Sequence, residues 1–523
     1  MNEKETGSFY TPQKLIEYMI NYISSRVDPK SILEPSAGDG RFANHLKKFN
    51  TPISLIEFDK AKTERLQETY GKHCNIVCDD FIKYSLCHDE KYDLIIGNPP
   101  YIAKKNIPEN QFSESEKIIE YFKIDKSVLQ NLWVAFVLSS LKMLSDTGTI
   151  FFVLPFEFLQ VQYAEKLRAF LETKFNTIEI ITFEERIFED IEQDVCLVYL
   201  ANERQDKPYI KYSTLISAEN PQVTFESVIM RNKPLKKWSN CILNDEETEA
   251  LINLSKKFTK ISDVGEISPG IVTGANSFFI LPKDEIDKLK VSDEYILPVI
   301  TKSTTIPSLL VFGQTDFENI ISEKNRTHLL NLSKLKDADF SQELKNYIKS
   351  GEDKEINEGY KCKKRKRWYD VPIVKNGDAC FFKRYHYLPR VIANTDKIHS
   401  TDIIYNIRFN KMYEAQSFAF CFYNSLTLAL CEYNGRFYGG GVGELVPSEF
   451  KQLAIPYKTI AQAHIDHLDS LLRQNNQIND IIDYVDDIVL DQLTDAEKSL
   501  LQNIRMRYIE RRMKNNKEKD HER

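Results

Sequence analysis

The sequence predicts an α/β fold: an N-terminal part built on a mixed, mainly parallel sheet, then a separate domain and a helical C-terminal segment. Up to residue 204, short apolar runs alternate with amphipathic helical stretches, which is the pattern of βαβ units. The chain has 523 residues, and a single hydrophobic core stops growing at roughly 250–300 residues. We therefore expect two large domains and a small additional element.

The predicted elements follow one another in the order of a doubly wound sheet. An amphipathic helix over 14–25 comes first, with Thr11 as its expected cap and Pro12 as its first residue. Strands are expected over 31–33, 53–59, 75–82, from 92, over 148–155, 177–183 and 194–201, and helices from 41, from 61, over 129–145 and over 162–174. The last two strands lie close enough in sequence to form an antiparallel pair.

The alternation ends near residue 204, where prolines, short strands and turn signals take over. A domain boundary is therefore expected between residues 205 and 245. Helical spacing of apolar residues returns over 460–515. We predict three parts, over 1–225, 226–460 and 461–523.

Charge is unevenly distributed along the chain. The net charge is −7, which does not by itself suggest a polyanionic partner. Between residues 355 and 411, however, roughly 13 lysines and arginines stand against 6 acidic residues. A basic zone on an acidic protein is compatible with a face that binds nucleic acid.

Cysteine usage and hydropathy exclude several classes of protein. The nine cysteines form no CxxC pair, so reduced thiols and no metal site are expected. The N-terminus lacks the pattern of a signal peptide, and no apolar run approaches the ~20 residues of a membrane helix. We expect a cytoplasmic protein without a membrane partner.

A loop of small residues, LEPSAGDGRF at 33–42, follows the first predicted strand. Ligands bind at the carboxyl edge of a doubly wound sheet, and Gly38 and Gly40 let the backbone approach a ligand without a Cβ clash. The loop has neither the GxGxxG spacing nor the Gly-Lys-Ser/Thr of a P-loop, so dinucleotides and nucleoside triphosphates fit poorly.

The next two strands also end in groups that suit a nucleoside. Glu57 and Asp59 end the second strand, where a carboxylate can accept both ribose hydroxyls. Asp80 and Phe81 end the third with an acceptor and an apolar ring. The alternative, ordinary turns and helix-capping acids, explains each group alone but not all of them in order.

Asn98, Pro99, Pro100 and Tyr101 follow the fourth strand. The two prolines fix the backbone and remove two N–H donors, which leaves the Asn98 side-chain oxygen and the loop carbonyls as acceptors. Such a turn suits a substrate that is itself a donor, such as an aromatic –NH2 group. Tyr101 offers a flat face for the ring that carries the amine.

These segments resemble the gamma class of DNA amino-methyltransferases, the TaqI-like group of bacterial restriction–modification systems. TGSFYTP at residues 6–12 is similar to the family's N-terminal cofactor motif, and its place ahead of the glycine loop marks the gamma order. The resemblance implies a Rossmann-like, S-adenosylmethionine-dependent methyltransferase domain over 1–225 and a DNA target-recognition domain over 226–460.

The resemblance also implies a set of cofactor residues. Thr11 and Glu34 line the methionine side, Glu57 holds the ribose, and Asp80 with Phe81 contacts the adenine. The same resemblance adds Ala37, Gly38, Gly40, Phe58, Asn98 and Pro99.

A later motif of the family, matched by residues 185–200, supplies a phenylalanine that packs on the flipped base. Phe188 is the preferred match and Phe183 the alternative; plain core packing is the competing interpretation of Phe188. With Asn98, Pro99, Pro100 and Tyr101 it completes the implied catalytic set. An enzyme that acts on a base inside a duplex must extrude that base, and Tyr101 and Phe188 are expected on its opposite faces.

The C-terminal half resembles the family's target-recognition domains more loosely. Basic side chains suit phosphates and guanine edges, asparagine suits adenine edges, and aromatic rings stack on bases. The expected DNA contacts are Thr273, Asn276, Arg365, Arg367, Trp368, Tyr369, Lys383, Arg384, Arg390, Asn394 and Gly440. A solvated basic surface is the alternative for the run at 361–367.

The resemblance favours methylation of adenine N6 in duplex DNA, with alternatives left open. Cytosine N4 is also an aromatic amine, although cytosine enzymes more often begin the catalytic loop with serine. RNA and protein-glutamine methyltransferases share the loop but usually lack a separate recognition domain. No nuclease domain precedes Thr6 and no nuclease pattern follows, so a monomeric bacterial methylase beside a separately encoded endonuclease is expected.

Overall fold

The computed structural model describes residues 10–188, 194–204, 207–231, 234–438 and 440–513. The chain forms two compact units. The first contains residues 1–246, 438–441 and 510–523, and the second contains 247–437 and 442–509. The predicted division at residues 225 and 460 remains a prediction.

The first unit is built on a nine-stranded sheet. Its strands are β1 (Ile32–Glu34), β2 (Ile53–Glu57), β3 (Cys74–Cys78), β4 (Tyr92–Gly97), β5 (Leu144–Pro155), β6 (Thr177–Phe183), β7 (Val195–Ala201), β8 (Tyr209–Leu215) and β9 (Val223–Met230). The strand order is β3-β2-β1-β4-β5-β7-β6-β8-β9. Parallel pairing joins β1 to β2 and β4, β2 to β3, β4 to β5, and β6 to β8. The predicted mixed, mainly parallel sheet is confirmed.

The predicted antiparallel pair of late strands is also present. β7 lies between β5 and β6 and runs antiparallel to both, and β9 pairs antiparallel with β8. β1 lies between β2 and β4, so the crossovers leave it in opposite directions. Such a switch point opens a crevice at the carboxyl ends of the strands.

Helices connect the strands of this unit. They are α1 (Gln13–Ser24), α2 (Arg41–Leu46), α3 (Lys60–Tyr70), α4 (Phe81–Cys87), α5 (Glu109–Tyr121), α6 (Trp133–Met143) and α7 (Glu165–Lys174). The apolar residues that predicted α1 are all buried. The predicted cap was wrong: α1 begins at Gln13 with Pro12 at the N-cap position, and no side chain in the described part of the chain caps it.

The second unit contains four smaller sheets. Their orders are β11-β20-β16-β18-β14, β12-β15-β13-β19, β17-β22-β21 and β10-β23. The strands are β10 (Thr259–Lys260), β11 (Gly265–Pro269), β12 (Ile280–Leu281), β13 (Ile296–Ile300), β14 (Val311–Phe312), β15 (His328–Leu330), β16 (Ala379–Phe382), β17 (Arg384–Tyr385), β18 (Val391–Asn394), β19 (His399–Ser400), β20 (Ile404–Phe409), β21 (Arg436–Tyr438), β22 (Val442–Glu444) and β23 (Ala454–Ile455).

The remaining helices are α8 (Asp245–Ser255), α9 (Ile261–Val264), α10 (Asn276–Phe279), α11 (Lys283–Asp287), α12 (Gln314–Ser322), α13 (Gln342–Asp353), α14 (Ala415–Phe422), α15 (Ser425–Asn434), α16 (Pro447–Phe450), α17 (Gln462–Arg473), α18 (Ile478–Val489) and α19 (Asp495–Met513). α17 and α18 pack on the buried helix α14, and α18 also contacts α15. In the described part of the chain, no helix has the length and apolar character needed to cross a membrane.

Candidate active site

A cavity of about 980 Å³ opens in the first unit, at the carboxyl ends of the central strands. Each of the four neighbouring strand ends contributes a polar residue to its wall: Glu34, Glu57, Asp80 and Asn98. Ligand sites of small molecules typically have volumes of roughly 300–1,000 Å³. The structure therefore brings the groups predicted from separate motifs to one ligand-sized cavity.

The glycine loop joins β1 to α2 across this cavity. Gly38 has a positive φ of 57°, and among the described residues only Tyr10 lies near its missing Cβ, at 3.8 Å. A Cβ on Gly40 would come within 2.5 Å of the Tyr70 ring and 2.7 Å of Leu66. Gly40, with a φ of 81°, thus allows close packing against α3, whereas Gly38 lines the cavity. Ala37 anchors the loop through an N–H···O bond of 3.0 Å to Ile56.

Glu34 is buried at the floor of the cavity, only 1% exposed. Its Oε2 atom is buried and has no hydrogen-bond partner among the residues that the structure describes. Burial raises the pKa of Glu34 well above its ordinary value, and the nearby Glu57 and Asp39 carboxylates raise it further. A buried carboxyl without a partner is costly, so a cationic group in the cavity would supply the missing partner.

Glu57 and Phe58 form the next part of the wall. Glu57 accepts hydrogen bonds of 2.8 Å from the N–H of Gly38 and of Asp59. The Phe58 ring is 70% exposed and lines the cavity, so it offers a flat apolar surface. Asp59 caps α3 by accepting a bond from the Lys62 N–H.

Asp80 caps α4 and lines the cavity at the same time. One of its oxygens accepts bonds from the N–H groups of Ile82 and Lys83. The other accepts a bond of 2.6 Å from Nε2 of Gln111. Burial raises the pKa of Asp80, although these hydrogen bonds oppose the shift. Phe81 is buried beside it, with its ring centre 5.3 Å from that of Phe136.

Gln111 was missed by the sequence analysis. It lies in the first turn of α5 and lines the cavity. No strand end precedes it and no motif contains it, so only the folded chain reveals its contact with Asp80.

The turn at residues 98–101 forms the far end of the cavity, to which Asn98 and Pro100 contribute directly. The Ser36 hydroxyl donates a bond of 3.0 Å to the Asn98 carbonyl and so ties the turn to the glycine loop. Pro99 is buried. The Tyr101 hydroxyl donates a bond of 3.1 Å to the Val153 carbonyl of β5, which fixes the orientation of its ring.

Two further predicted residues of the first unit, Thr11 and Phe188, lie next to stretches outside the described residues. Thr11 is 5% exposed and lines the cavity, but residues 6–9 of its motif lie outside the described residues. Phe188 is 8% exposed, and residues 189–193 beyond it are likewise not described. Phe183 packs edge-on against Tyr18 at 6.0 Å. The pairing of Tyr101 with Phe188 remains a prediction.

In the second unit, both arginines of the run at 361–367 bond to the protein itself. Arg367 directs five hydrogen bonds to Asp370, Asp337 and the carbonyls of Leu332 and Leu335. A guanidinium has five N–H donors. Arg365 donates to the carbonyls of Val272 and Thr273 at 3.1 and 2.6 Å. The geometry favours a scaffold role for both, and their contact with DNA stays a prediction.

Other predicted DNA contacts are also engaged internally. Arg390 donates to the carbonyls of Ser303, Ile306 and Pro307. Asn394 is 1% exposed, donates to the carbonyls of Gly377 and Ile398, and accepts from the Ile398 N–H. These contacts hold the loops around β18 and favour a structural role.

The remaining predicted contacts differ in exposure. Thr273 is buried and bonded to Asn276, which is exposed. Lys383 and Arg384 both pair with Glu444. Gly440 has a positive φ of 81°, and a Cβ built on it would meet no atom of the described residues within 4 Å. Trp368 donates to Glu352, and Tyr369 is buried.

Four lysines in the same run are exposed: Lys361, Lys363, Lys364 and Lys366. We call them the lysine ridge. Next to them the Tyr360 ring is 64% exposed, with Lys364 Nζ 4.0 Å from its centre. The arginines of the run thus attach it to the fold, while its lysines present positive charge to solvent.

Comparisons with known proteins agree with this architecture. Residues 19–188 match the family model of the Eco57I restriction-modification methylase, and residues 235–490 match that of the C-terminal domain of the Type II methyltransferase M.Eco57I. The chain is 23% identical to the Type II methyltransferase M.AccI of Acinetobacter calcoaceticus, over 95% of both chains. It is 25% identical to M.HindII of Haemophilus influenzae, over 62% of this chain and 64% of that protein.

A solved structure supports the same fold. The Type IIL restriction-modification enzyme MmeI, determined in complex with DNA, matches with a TM-score of 0.58 and 11% identity. The match covers 95% of this chain and 75% of that one. By the two family models and the relatives that match along its length, the chain belongs to the Type II restriction-modification DNA methyltransferases of bacteria.

Proposed function

We propose that the chain transfers a methyl group from S-adenosylmethionine to N6 of a flipped-out adenine in duplex DNA. One observation carries the proposal: Asn98, in the turn at residues 98–101 (the acceptor turn), lines the same cavity as Glu34, Glu57 and Asp80. A cofactor held by the three acids and an amine held by the turn would therefore meet inside one cavity.

The residues present fit S-adenosylmethionine. Its ammonium group would supply a partner for Glu34 Oε2, which has none within the described ranges of the chain. Glu57 would accept from the ribose hydroxyls, because each carboxylate oxygen has a second lone pair beyond its bond to the backbone. The exposed Phe58 ring and the Phe81 side chain would lie against a purine. When bound, the cofactor supplies an activated methyl group on a sulfonium.

Asn98 would act on the amine that receives the methyl. The lone pair of an aromatic amine is delocalised into the ring, so the amine is a weak nucleophile. An acceptor such as Asn98 Oδ1, together with the Pro99 carbonyl, would bind both amine hydrogens and turn the nitrogen toward tetrahedral geometry. Since two prolines and the bond from Ser36 fix the turn, positioning would supply much of the rate.

The target base must leave the duplex to reach this turn. The Tyr101 ring, held by its bond to Val153, would support one face of the extruded base, and Phe188 would support the other. Burial raises the pKa of Tyr101 well above its ordinary value, so its hydroxyl stays protonated and keeps that bond.

The lysine ridge would supply contacts to the DNA backbone from the second unit. Exposed lysines bind phosphates as point charges and release condensed counterions. The adjacent exposed Tyr360 ring could stack on a base or sugar. A separately encoded restriction endonuclease with the same recognition sequence is the partner that this function implies.

Methylation-sensitive long-read sequencing of DNA from cells that express the chain tests the proposal. We expect N6-methyladenine at one recurring sequence, which cells with the empty vector lack. N4-methylcytosine at such a sequence would contradict the choice of base. An unmodified genome in cells that contain the folded protein would contradict the proposed function itself.

A further inference from the structure

Gln111 connects two parts of the cavity that lie far apart in sequence. It belongs to α5, on the segment that follows the acceptor turn, and its Nε2 lies 2.6 Å from Oδ2 of Asp80, at the end of β3. Asn106 and Pro108 of the same segment also line the cavity. Gln111 and Asp80, which both line the cavity, are therefore in direct contact across its wall.

The orientation of the Gln111 amide follows from the chemistry of its partner. An ionised carboxylate only accepts hydrogen bonds, so Gln111 must turn its NH2 group toward Asp80. Its carbonyl oxygen, Oε1, is then directed away from the carboxylate. Asp80 Oδ1 is occupied by the N–H groups of Ile82 and Lys83, whereas Oδ2 accepts from Gln111 and keeps a second lone pair.

We propose that Gln111 is a specificity residue of the cofactor site, which with Asp80 recognises the 6-amino group of the purine. The inference rests on the proposed function. Asp80 Oδ2 and Gln111 Oε1 are two neighbouring acceptors, and a 6-amino group has two N–H donors. A 6-oxo group in the same place is itself an acceptor, so its oxygen would face the two acceptor oxygens without a hydrogen bond. A purine with a 6-oxo group would therefore bind more weakly.

Calorimetric binding to the full-length chain tests this role with two ligands. S-adenosylhomocysteine carries the 6-amino group, and S-inosylhomocysteine carries a 6-oxo group in its place. We expect the wild-type chain to bind the adenosyl ligand at least ~10-fold more tightly. Gln111→Leu should weaken binding of the adenosyl ligand by roughly 10-fold and leave binding of the inosyl ligand unchanged or stronger.

The control variant is Asn110→Leu, at the neighbouring exposed position of α5, which should bind both ligands like the wild type. Thermal unfolding of each variant shows that it is folded. Equal weakening of both ligands by Gln111→Leu, or no weakening of either, would overturn the inference and leave the proposed cofactor intact. A wild-type chain that binds neither ligand would overturn the proposed function and this inference together.

Discussion

The backbone N–H of Gly38 donates a hydrogen bond of 2.8 Å to Oε2 of Glu57, which joins the loop after β1 to the end of β2. The other Glu57 oxygen accepts from the Asp59 N–H. Glu57→Gln has one acceptor oxygen in place of two and so must lose one of these bonds. We expect affinity for S-adenosylhomocysteine to fall by roughly 10-fold, measured by calorimetry.

Glu64→Gln is the matched control for that experiment, because Glu64 is exposed on α3. It should bind S-adenosylhomocysteine like the wild type. Unchanged affinity in Glu57→Gln would show that the bond between the two strand ends does not shape the site.

The lysine ridge should govern the salt dependence of DNA binding. The triple variant Lys363→Gln, Lys364→Gln and Lys366→Gln removes three exposed charges. Each lost phosphate contact lowers the slope of log affinity against log salt by about 0.9, so the slope should fall by about 2 to 3. Fluorescence anisotropy with a labelled duplex over a salt series measures it.

The control removes the same charge from exposed lysines elsewhere in the second unit, Lys288, Lys345 and Lys349. It should keep the wild-type slope. If the ridge variant also keeps that slope, the ridge does not contact the DNA backbone.

Arg367 should matter for stability, because its five donors bond within the protein. Arg367→Ala leaves two carboxylates and two carbonyls without these partners. We expect the second unit to lose roughly 2 kcal/mol or more, seen as a lower midpoint of urea unfolding. The exposed neighbour Lys366→Ala should leave the midpoint within error, and equal midpoints for both variants would refute the scaffold role.

The buried carboxyl of Asp486 should make the folding stability of the protein depend on pH. It is 1% exposed on α18 and accepts a bond of 2.8 Å from the Ser425 N–H, and burial raises its pKa to about 6. Because the folded-state pKa exceeds the unfolded value, stability is lost as pH rises from about 4 to about 6 and stays lost above it.

Asp486→Asn keeps an acceptor for Ser425 without the buried charge. Its stability advantage over the wild type should grow across that pH range and level off near roughly 1–3 kcal/mol. Thermal unfolding at a series of pH values measures the difference. The exposed neighbour Asp487→Asn is the control, and a pH-independent difference between Asp486→Asn and the wild type would contradict the raised pKa.

The sequence predicted the wall of the cavity well because parallel strands bring their carboxyl ends to one edge. Glu34, Glu57, Asp80 and Asn98 lie at consecutive strand ends, so the fold class alone implies that they converge. Gln111 carries no such signal, because its place in the cavity depends on how the segment after the turn folds back.

The second unit shows the opposite case. Its strands are short and its loops irregular, so the partners of a side chain come from distant parts of the sequence. Arg390, for example, bonds to carbonyls of residues 303–307. An arginine in a basic stretch looks the same in sequence whether it binds a phosphate or holds a loop.

The most direct test of the account is transfer of a tritiated methyl group from S-adenosylmethionine to duplex DNA by the purified chain. We predict that the wild type labels DNA and that Asn110→Ala labels it at the same rate. Asn98→Ala should label DNA at least roughly 100-fold more slowly, while it still binds S-adenosylhomocysteine and DNA. Labelling by Asn98→Ala at the wild-type rate, or no labelling by the wild type, would contradict the account.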